Sequence, residues 1–329
     1  MESVMVSVAV ITYDHENYIE KALESVFSQR TDFRFEVVVG EDCSPDNTRN
    51  ILRRFKDICG DQIVLLFRDT NLGPSKNIYD VLLHCKGKYV AFLEGDNYWT
   101  DDLKLQKQVV FLENNPRFVA VGHNVFLVDN KGENAKPQLL ESQVNKEYSL
   151  KDYLRDGFSF DLNSVMIRNI FHLSDNKYMT LYHKSYTMTD IITLCLLYDK
   201  GPIYVSGEIM GAHRGVSDRD TSSYSFAQRN RMIEYSYMHI DIIRSLEDFF
   251  EHKYDLSPLI ANRTAGLLMH RILGGAGLSV VKLDRTQLRE YMRSLPIRVR
   301  LLSYFKTARK LLRIVQRRFL KKQKKHVST

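Results

Sequence analysis

No stretch of this sequence approaches the roughly 20 apolar residues that a membrane span requires. The longest candidate, Val4 to Ile11, has the length of a strand and contains Ser7. The amino terminus carries no basic region leading into an apolar core, as a secretory leader would. These absences predict a cytoplasmic protein. Cysteine is scarce: Cys43, Cys59, Cys85 and Cys195 form no C-x-x-C pair and have no metal-ligand spacing, so they read as reduced structural thiols. There is a single tryptophan, Trp99, and the 11% of aromatic residues are scattered. No G-x-G-x-x-G follows the first apolar run and no G-x-x-x-x-G-K-[ST] occurs, which removes dinucleotide-binding and P-loop chemistry. The stretch Thr12-Tyr13-Asp14-His15-Glu16 lacks the glycine-rich basic loop that would cradle a triphosphate.

Acid, too, is missing from one region. After Glu290 there is no Asp or Glu, while 13 Lys or Arg lie between Arg293 and Lys325. The net charge of +7 therefore belongs to the tail, and residues 1–290 hold 34 basic against 40 acidic residues. A mildly acidic body argues against nucleic-acid binding, and the tail suits an anionic surface.

Over the first 125 residues, short apolar runs alternate with helical periodicity. Strands are expected at Val6–Ile11, Phe35–Val39, Ile63–Phe67, Tyr89–Leu93 and Phe118–Phe126. A helix through Tyr18, Ile19, Ala22, Leu23, Val26 and Phe27 follows the first strand. A second opens at Ser44-Pro45, with serine as N-cap and proline at the first position. Others run from Pro74 to Cys85 and from Leu103 to Asn114. This β-α-β-α-β-α-β order demands an α/β fold with a mostly parallel sheet covered on both faces. Residues 127–150 read as a polar excursion. A helix at Asp190–Tyr198 and a strand near Ile203–Val205 come next, then a polar loop over 214–225 and helical patterning to the end.

In open parallel sheets ligands bind beyond the carboxyl ends of the strands. Here those ends carry Asp14, then Glu41 and Asp42, then Asp69, then Glu94 and Asp96. Carboxylates after four successive strands repel one another unless a cation enters the crevice. In Glu94-Gly95-Asp96, two acids flank a glycine that permits close approach, a pattern able to hold Mg2+ or Mn2+ against a diphosphate. Trp99 could stack on a sugar ring, although a lone aromatic after a turn is usually core.

These residues resemble glycosyltransferase family 2. The resemblance is carried by Val8-Ala9-Val10-Ile11-Thr12-Tyr13-Asp14 through Ser25-Val26, by Glu41-Asp42-Cys43-Ser44-Pro45-Asp46-Asn47-Thr48, by Asn71-Leu72-Gly73, and by Gly87-Lys88-Tyr89 through Asp96. It covers residues 4–125 closely and thins towards 215. It implies a GT-A fold and an inverting transferase that moves a sugar from a nucleotide-diphosphate donor (a UDP-sugar) to a lipid-linked or polysaccharide acceptor, with Mn2+ or Mg2+ as cofactor. The run Tyr98-Trp99-Thr100-Asp101 fits a subgroup that builds bacterial surface polysaccharides.

By resemblance, Thr12 and Tyr13 line the base and ribose pocket, Asp42 bonds the nucleobase or ribose, and Asp69 and Lys76 lie near the nucleotide. Asp96 is the metal carboxylate of the DxD-like motif, with Glu94 at its first position and Asn97 where many relatives have a further acid. Asp190 is the candidate base that deprotonates the acceptor hydroxyl, with an N-cap role as its bland alternative and Asp175 as the next candidate. His213 resembles a family histidine facing metal or diphosphate, although Met210-Gly211-Ala212 departs from the usual aromatic-basic pattern before it. Asn163-Ser164-Val165-Met166 resembles a segment facing the acceptor.

A transferase domain over 1–225 (nucleotide-binding half 1–125, acceptor half 126–225) and a helical region over 226–329 are expected. In the tail, Leu301, Phe305, Ala308, Leu312, Val315 and Phe319 fall on one helical face, and Lys306, Arg309, Lys310, Arg313, Arg317 and Lys321 on the other. Such a helix fits a peripheral anchor on the inner face of the cell membrane, or else packs on the body with a solvated basic face. A reading of another class remains: a catalytically degenerate, tethered scaffold, supported by Asn97 and by the altered residues before His213.

Overall fold

The structure, a computed structural model, describes residues 3–156, 161–172, 176–185, 189–215, 232–273, 288–289, 292–293 and 295–327, with no side chain placed beyond 312. Two compact units divide the chain, Met1–Ser222 and Ser223–Thr329.

The first unit is built on a ten-stranded sheet. Strands β1 (Val6–Thr12), β2 (Phe35–Glu41), β3 (Ile63–Phe67) and β4 (Tyr89–Glu94) form its parallel half, in the order β3-β2-β1-β4. β1, β2 and β4 are runs of mainly β-branched and aliphatic residues buried on both faces, as doubly covered parallel strands must be, while β3 at the edge buries only Ile63 fully. Helices α1 (Ile19–Phe27), α2 (Thr48–Cys59), α3 (Pro74–His84) and α4 (Lys104–Asn114) supply the crossovers. Ile19, Leu23 and Val26 of α1, Ile51 and Leu52 of α2, and Leu105, Val109 and Leu112 of α4 share one core with Val8, Val10, Val37, Val39, Ala91 and Leu93. Helix α3 packs on β1 and β2 and buries Ile78, Val81 and Leu82.

Beyond β4 the sheet becomes mixed. Strand β5 (Tyr98–Trp99) is short, β6 (Ala120–Val128) is long, and β7 (Lys136–Pro137) and β8 (Lys146–Tyr148) decorate the polar excursion. Helix α5 (Leu150–Asp156), strand β9 (Met166–Arg168), and helices α6 (Met179–Lys184) and α7 (Thr189–Lys200) lead to β10 (Ile203–Arg214). β9 lies antiparallel between β4 and β6, while β10 runs parallel to β6 and antiparallel to β5.

Two sequence expectations change. The second helix begins at Thr48 and not at Ser44-Pro45. The Ser44 hydroxyl, freed from capping, accepts from Asp14 N at 3.0 Å, and Ser44 N donates to Glu41 Oε1 at 2.6 Å. The strand expected near Ile203–Val205 extends to Arg214. Register shifts between Val205 and Ile209 and between Ile209 and Ala212 break the alternation by which its length could be read.

Within the second unit, α8 (Met232–Phe249) packs on α9 (Ser257–Leu273), which packs on α10 (Ile297–Val327). α10 buries Val299, Ser303 and Thr307, spaced four apart. The Ser303 and Thr307 hydroxyls donate back to the carbonyls of Val299 and Ser303, so that face seats without orphaned groups. Leu301, Phe305 and Leu312 remain 65%, 64% and 62% exposed. Val315 and Phe319 lie outside the described side chains.

Candidate active site at the carboxyl edge of the sheet

The register fixes where the loops meet. Thr12 pairs with Glu41, Glu41 with Phe67 and Ile11 with Glu94, so the four parallel strands end within a residue of one another. Their following loops emerge along one edge.

The acids at that edge have different fates. Glu41 is fully buried and ion-paired with Arg49. Asp42 accepts from the backbone N–H of Leu72 through Oδ1 at 2.7 Å and of Gly73 through Oδ2 at 2.9 Å. Burial raises its pKa, while those amides and Arg68 pull the other way. Asp46 accepts from Glu16 N at 2.8 Å and Thr48 N at 3.0 Å, and Glu16 accepts from Asn47 N at 2.9 Å. The acid-rich crevice inferred from sequence is thus largely neutralised by an arginine and by backbone amides. Asp14 and Asp69 stay exposed to solvent, and the acids after β4 remain for a cation.

Glu94, Gly95, Asp96 and Asn97 form a turn whose approach to β1 requires glycine. A Cβ on Gly95 would lie 2.7 Å from Thr12 Oγ1 and 2.9 Å from His15 Nδ1. Gly95 N donates to Ile11 O at 2.9 Å, tying the turn to β1. Glu94 opens onto the crevice, yet so much protein surrounds it that desolvation, followed by repulsion from Asp96 and Asp161, raises its pKa well above the carboxylate range. Two amides brace it. Asn97 Nδ2 and Asn163 Nδ2 each donate to Glu94 Oε2 at 3.2 Å, and Asn163 Oδ1 accepts from Glu94 N at 2.5 Å. Asp96 Oδ1 is buried without a hydrogen-bond partner.

β10 closes the turn from the other side. Arg214 N donates to Asn97 Oδ1 at 2.8 Å, and the Arg214 guanidinium bonds the Asp96 carbonyl. That guanidinium lies over the rings of Tyr18 and Tyr98, at 4.9 and 4.7 Å from their centroids. Asn97 therefore does what aspartate could not: it donates to one carboxylate while accepting from a strand amide. These two bonds give Asn97 a structural role, so its presence alone is no sign of the degenerate scaffold. His213 Nδ1 lies 2.7 Å from Asp161 Oδ2 in an ion pair whose angles fall outside those of a hydrogen bond. Burial opposes charge on His213, but Asp161, Glu94 and Asp96 outweigh it and raise its pKa to about 10.

The other expected residues fall around this centre. Thr12 is buried, with Oγ1 3.2 Å from His15 Nδ1, and Tyr13 is 43% exposed. Asp69 is exposed, and its carbonyl accepts from the Cys43 thiol at 3.4 Å. Lys76 is half-buried on the first turn of α3 and forms no ion pair among the described residues. Asp190 stands in the first turn of α7, close enough for its charge to bear on Glu94 and Tyr182. Asp175 lies outside the described residues. Trp99 is core: 5% exposed, it donates from Nε1 to Asn163 O at 3.2 Å. Arg214 and Asp161 were missed by sequence reasoning: Arg214 meets Asp96, and Asp161 meets His213, across long stretches of chain that no local pattern connects.

Among the described residues no three His, Cys, Asp or Glu side chains converge to hold a metal ion. The orphaned Asp96 oxygen nevertheless fits a cation that completes its shell from other sources.

A parallel half-sheet extended by a mixed half, with an acid turn after β4 at its open edge, defines the GT-A class of nucleotide-sugar-binding folds. Structures of Staphylococcus aureus TarS 1–349 share the fold. The complex with UDP superposes at a TM-score of 0.61 with 19% identity, covering 91% of this chain and 83% of that one; a further complex contains UDP-GlcNAc. Residues 7–173 match glycosyl transferase family 2, and the chain belongs to that family. An uncharacterized protein of Mycobacterium tuberculosis is 38% identical over 126 residues, which is 38% of this chain and 36% of that protein. TuaG of Bacillus subtilis, named as a teichuronic acid biosynthesis glycosyltransferase, is 33% identical over 126 residues, 38% of this chain and 49% of its own length. These matches span less than half of either relative.

Proposed function

We propose that this chain is an inverting glycosyltransferase that moves a sugar from a nucleotide-diphosphate donor, a UDP-sugar, to a lipid-linked or polysaccharide acceptor in cell-surface glycan synthesis. One observation carries the reading: Asp96 Oδ1 is buried and unpartnered in a glycine-dependent turn at the carboxyl edge of a GT-A sheet. The UDP and UDP-GlcNAc complexes of TarS support the donor class, and the name of TuaG supports the glycan setting.

In this reading Thr12, Tyr13 and Asp69 line the nucleoside side. Asp42 takes part without leaving Leu72 and Gly73, because each carboxylate oxygen retains a lone pair for a base N–H or a ribose hydroxyl. A divalent cation, Mn2+ or Mg2+, held by Asp96 with the diphosphate oxygens, would neutralise charge on the leaving nucleotide. Lys76 and His213 face the same diphosphate, and His213 Nε2, outside the Asp161 pair, donates to phosphate while the ring is charged and would ligate a metal only by releasing that proton. Asp190 takes the proton of the acceptor hydroxyl as its oxygen bonds the anomeric carbon. The bond from that carbon to the diphosphate oxygen breaks on the opposite face, and the nucleotide leaves with the electron pair. Charge so developed is stabilised by cations already in place.

The exposed stripe Leu301, Phe305 and Leu312, on a helix rich in Lys and Arg, supports peripheral attachment to an anionic membrane surface, where a lipid-linked acceptor would reside. No described helix is long and apolar enough to cross a membrane.

The test is a thermal-shift screen of nucleotide sugars with and without Mn2+, followed by an assay for donor hydrolysis. A UDP-sugar should stabilise the protein most, and should be hydrolysed slowly when no acceptor is present. A protein that neither binds nor hydrolyses any nucleotide sugar is the tethered scaffold instead.

A further inference from the structure

The second unit contains a groove of about 620 Å³ unrelated to the acid turn, lined by Leu268 of α9, by Arg289, Met292 and Arg293, and by Ile297, Arg300, Leu301 and Tyr304 of α10. Its size lies within the range of small-molecule clefts, roughly 300–1,000 Å³. Three guanidinium groups share its wall with two leucines, an isoleucine, a methionine and a tyrosine. None of the three forms an ion pair among the described residues, and Arg300 Nε is buried with no hydrogen-bond partner. Arg298, two residues before Arg300, is by contrast engaged with Asp255 at 3.1 Å.

Helix α9 contains no Asp or Glu, and neither does any residue after Glu290. A buried guanidinium N–H without an acceptor is costly, and an anion entering the groove would satisfy it beside the two exposed arginines. The floor continues onto the outer face of α10, where Ile297, Leu301, Tyr304 and Phe305 are 68%, 65%, 53% and 64% exposed. Phosphate-sized anionic demand therefore adjoins an uncovered aliphatic and aromatic surface. A free anion would satisfy the first and leave the second in water. A nucleic acid would do the same.

We propose that this groove binds the phosphate headgroup of an anionic phospholipid of the membrane leaflet, with the arginines on the phosphate and the first chain segments over Leu268, Ile297 and Leu301. The proposal rests on the membrane attachment proposed above and gives it a defined site. Attachment then depends on a stoichiometric lipid contact besides the diffuse charge of the tail.

The probe is dihexanoyl phosphatidic acid kept below its micelle concentration and titrated into the full chain by calorimetry, beside inorganic phosphate, dihexanoyl phosphatidylcholine and a short oligonucleotide. Saturable binding of the phosphatidic acid at one site is expected, at least tenfold tighter than that of the other three. Each arginine near an anionic lipid contributes about fivefold, so R289Q/R293Q/R300Q should weaken binding on the order of 100-fold. The double variant R289Q/R293Q changes only exposed side chains, keeps the parent Tm, and should weaken it about 25-fold. Unchanged affinity in the double variant overturns the proposal. So does equal affinity for inorganic phosphate or oligonucleotide, or no binding by the intact chain. Flotation with phosphatidylglycerol vesicles separates the two readings: a double variant that loses the short lipid but still floats leaves the groove assignment standing and assigns vesicle attachment to the rest of the tail. An intact chain that binds the short lipid and never floats removes the membrane reading alone.

Discussion

Asn97→Asp tests the architecture of the acid turn most directly, because it restores the acid that many family members carry at that place. In the parent, Asn97 Nδ2 donates to Glu94 Oε2 at 3.2 Å and Oδ1 accepts from Arg214 N at 2.8 Å. Aspartate keeps the second bond and loses the first, putting a carboxylate oxygen against another. Two unit charges about 4 Å apart repel by about 1 kcal/mol in water and about 4 kcal/mol at an effective dielectric of about 20. Glu94 holds its proton up to about pH 8, so this repulsion is felt only in alkaline buffer; there, with Glu94 open to the crevice, it is about 2 kcal/mol, and the lost hydrogen bond to a charged group adds about 1.5 kcal/mol. A total near 3.5 kcal/mol, at about 2–4 °C per kcal/mol for a unit of this size, lowers Tm by about 10 °C. The assay is thermal unfolding at about pH 8.5, above the Glu94 pKa, in a chelator and again in Mn2+ with UDP. If the turn is a cation seat, the added acid becomes a benefit once the cation binds, and most of the deficit disappears. Asn97→Ala removes both bonds without adding charge, so its deficit should persist in Mn2+. An Asn97→Asp protein as stable as the parent in chelator, or one whose deficit ignores Mn2+, would refute the reasoning.

Asp96→Asn should abolish most transfer and blunt stabilisation by UDP plus Mn2+ while Tm without ligand stays within about 1 °C, because Oδ1 has no protein partner to lose. Asp190→Asn should lower kcat by about a hundredfold or more with donor affinity unchanged, as measured by transfer and by calorimetry; comparable turnover would move the base to Asp175 or elsewhere. Gly95→Ala forces a Cβ to 2.7 Å from Thr12 Oγ1 and should cost about 1–3 kcal/mol together with nucleotide affinity, read by unfolding and titration. Leu301→Ser/Phe305→Ser, at positions over 60% exposed, should weaken sedimentation with anionic liposomes at low salt while leaving Tm unchanged; equal pelleting would exclude the stripe as a contact.

The parallel half of the fold was legible because its strands are short continuous apolar runs and its helices recur at 3.6 residues. Apolar patterning alone therefore located β1–β4 to within a residue or two. The start of α2 was not legible. Ser44 and Pro45 have the composition of a helix start, but Ser44 is used across the crevice to Asp14, a bond 30 residues long that no local pattern encodes. The same holds for the site. Glu94 and Asp96 were visible because they sit two apart behind a strand. Their supports Asn163 and Arg214 arrive from 69 and 118 residues away, and the sequence signals neither of them as partners of the turn. Charge counting at strand ends also overstated the empty negative crevice, since it could not foresee that Glu41 meets Arg49 and that Asp42 meets two amides.

Those amide contacts have a consequence for the kinetics of any ligand that enters. Asp14 N on Ser44, Glu16 N on Asp46, Asn47 N on Glu16, and Leu72 and Gly73 N on Asp42 stitch the loops after β1, β2 and β3 to one another before anything is bound. The wall proposed for the nucleoside is thus preorganised, and on that reading a nucleotide need not order three separate loops on arrival. Association on that side should run close to the rate of diffusional docking, and discrimination among bases should reside in how fast the wrong one leaves.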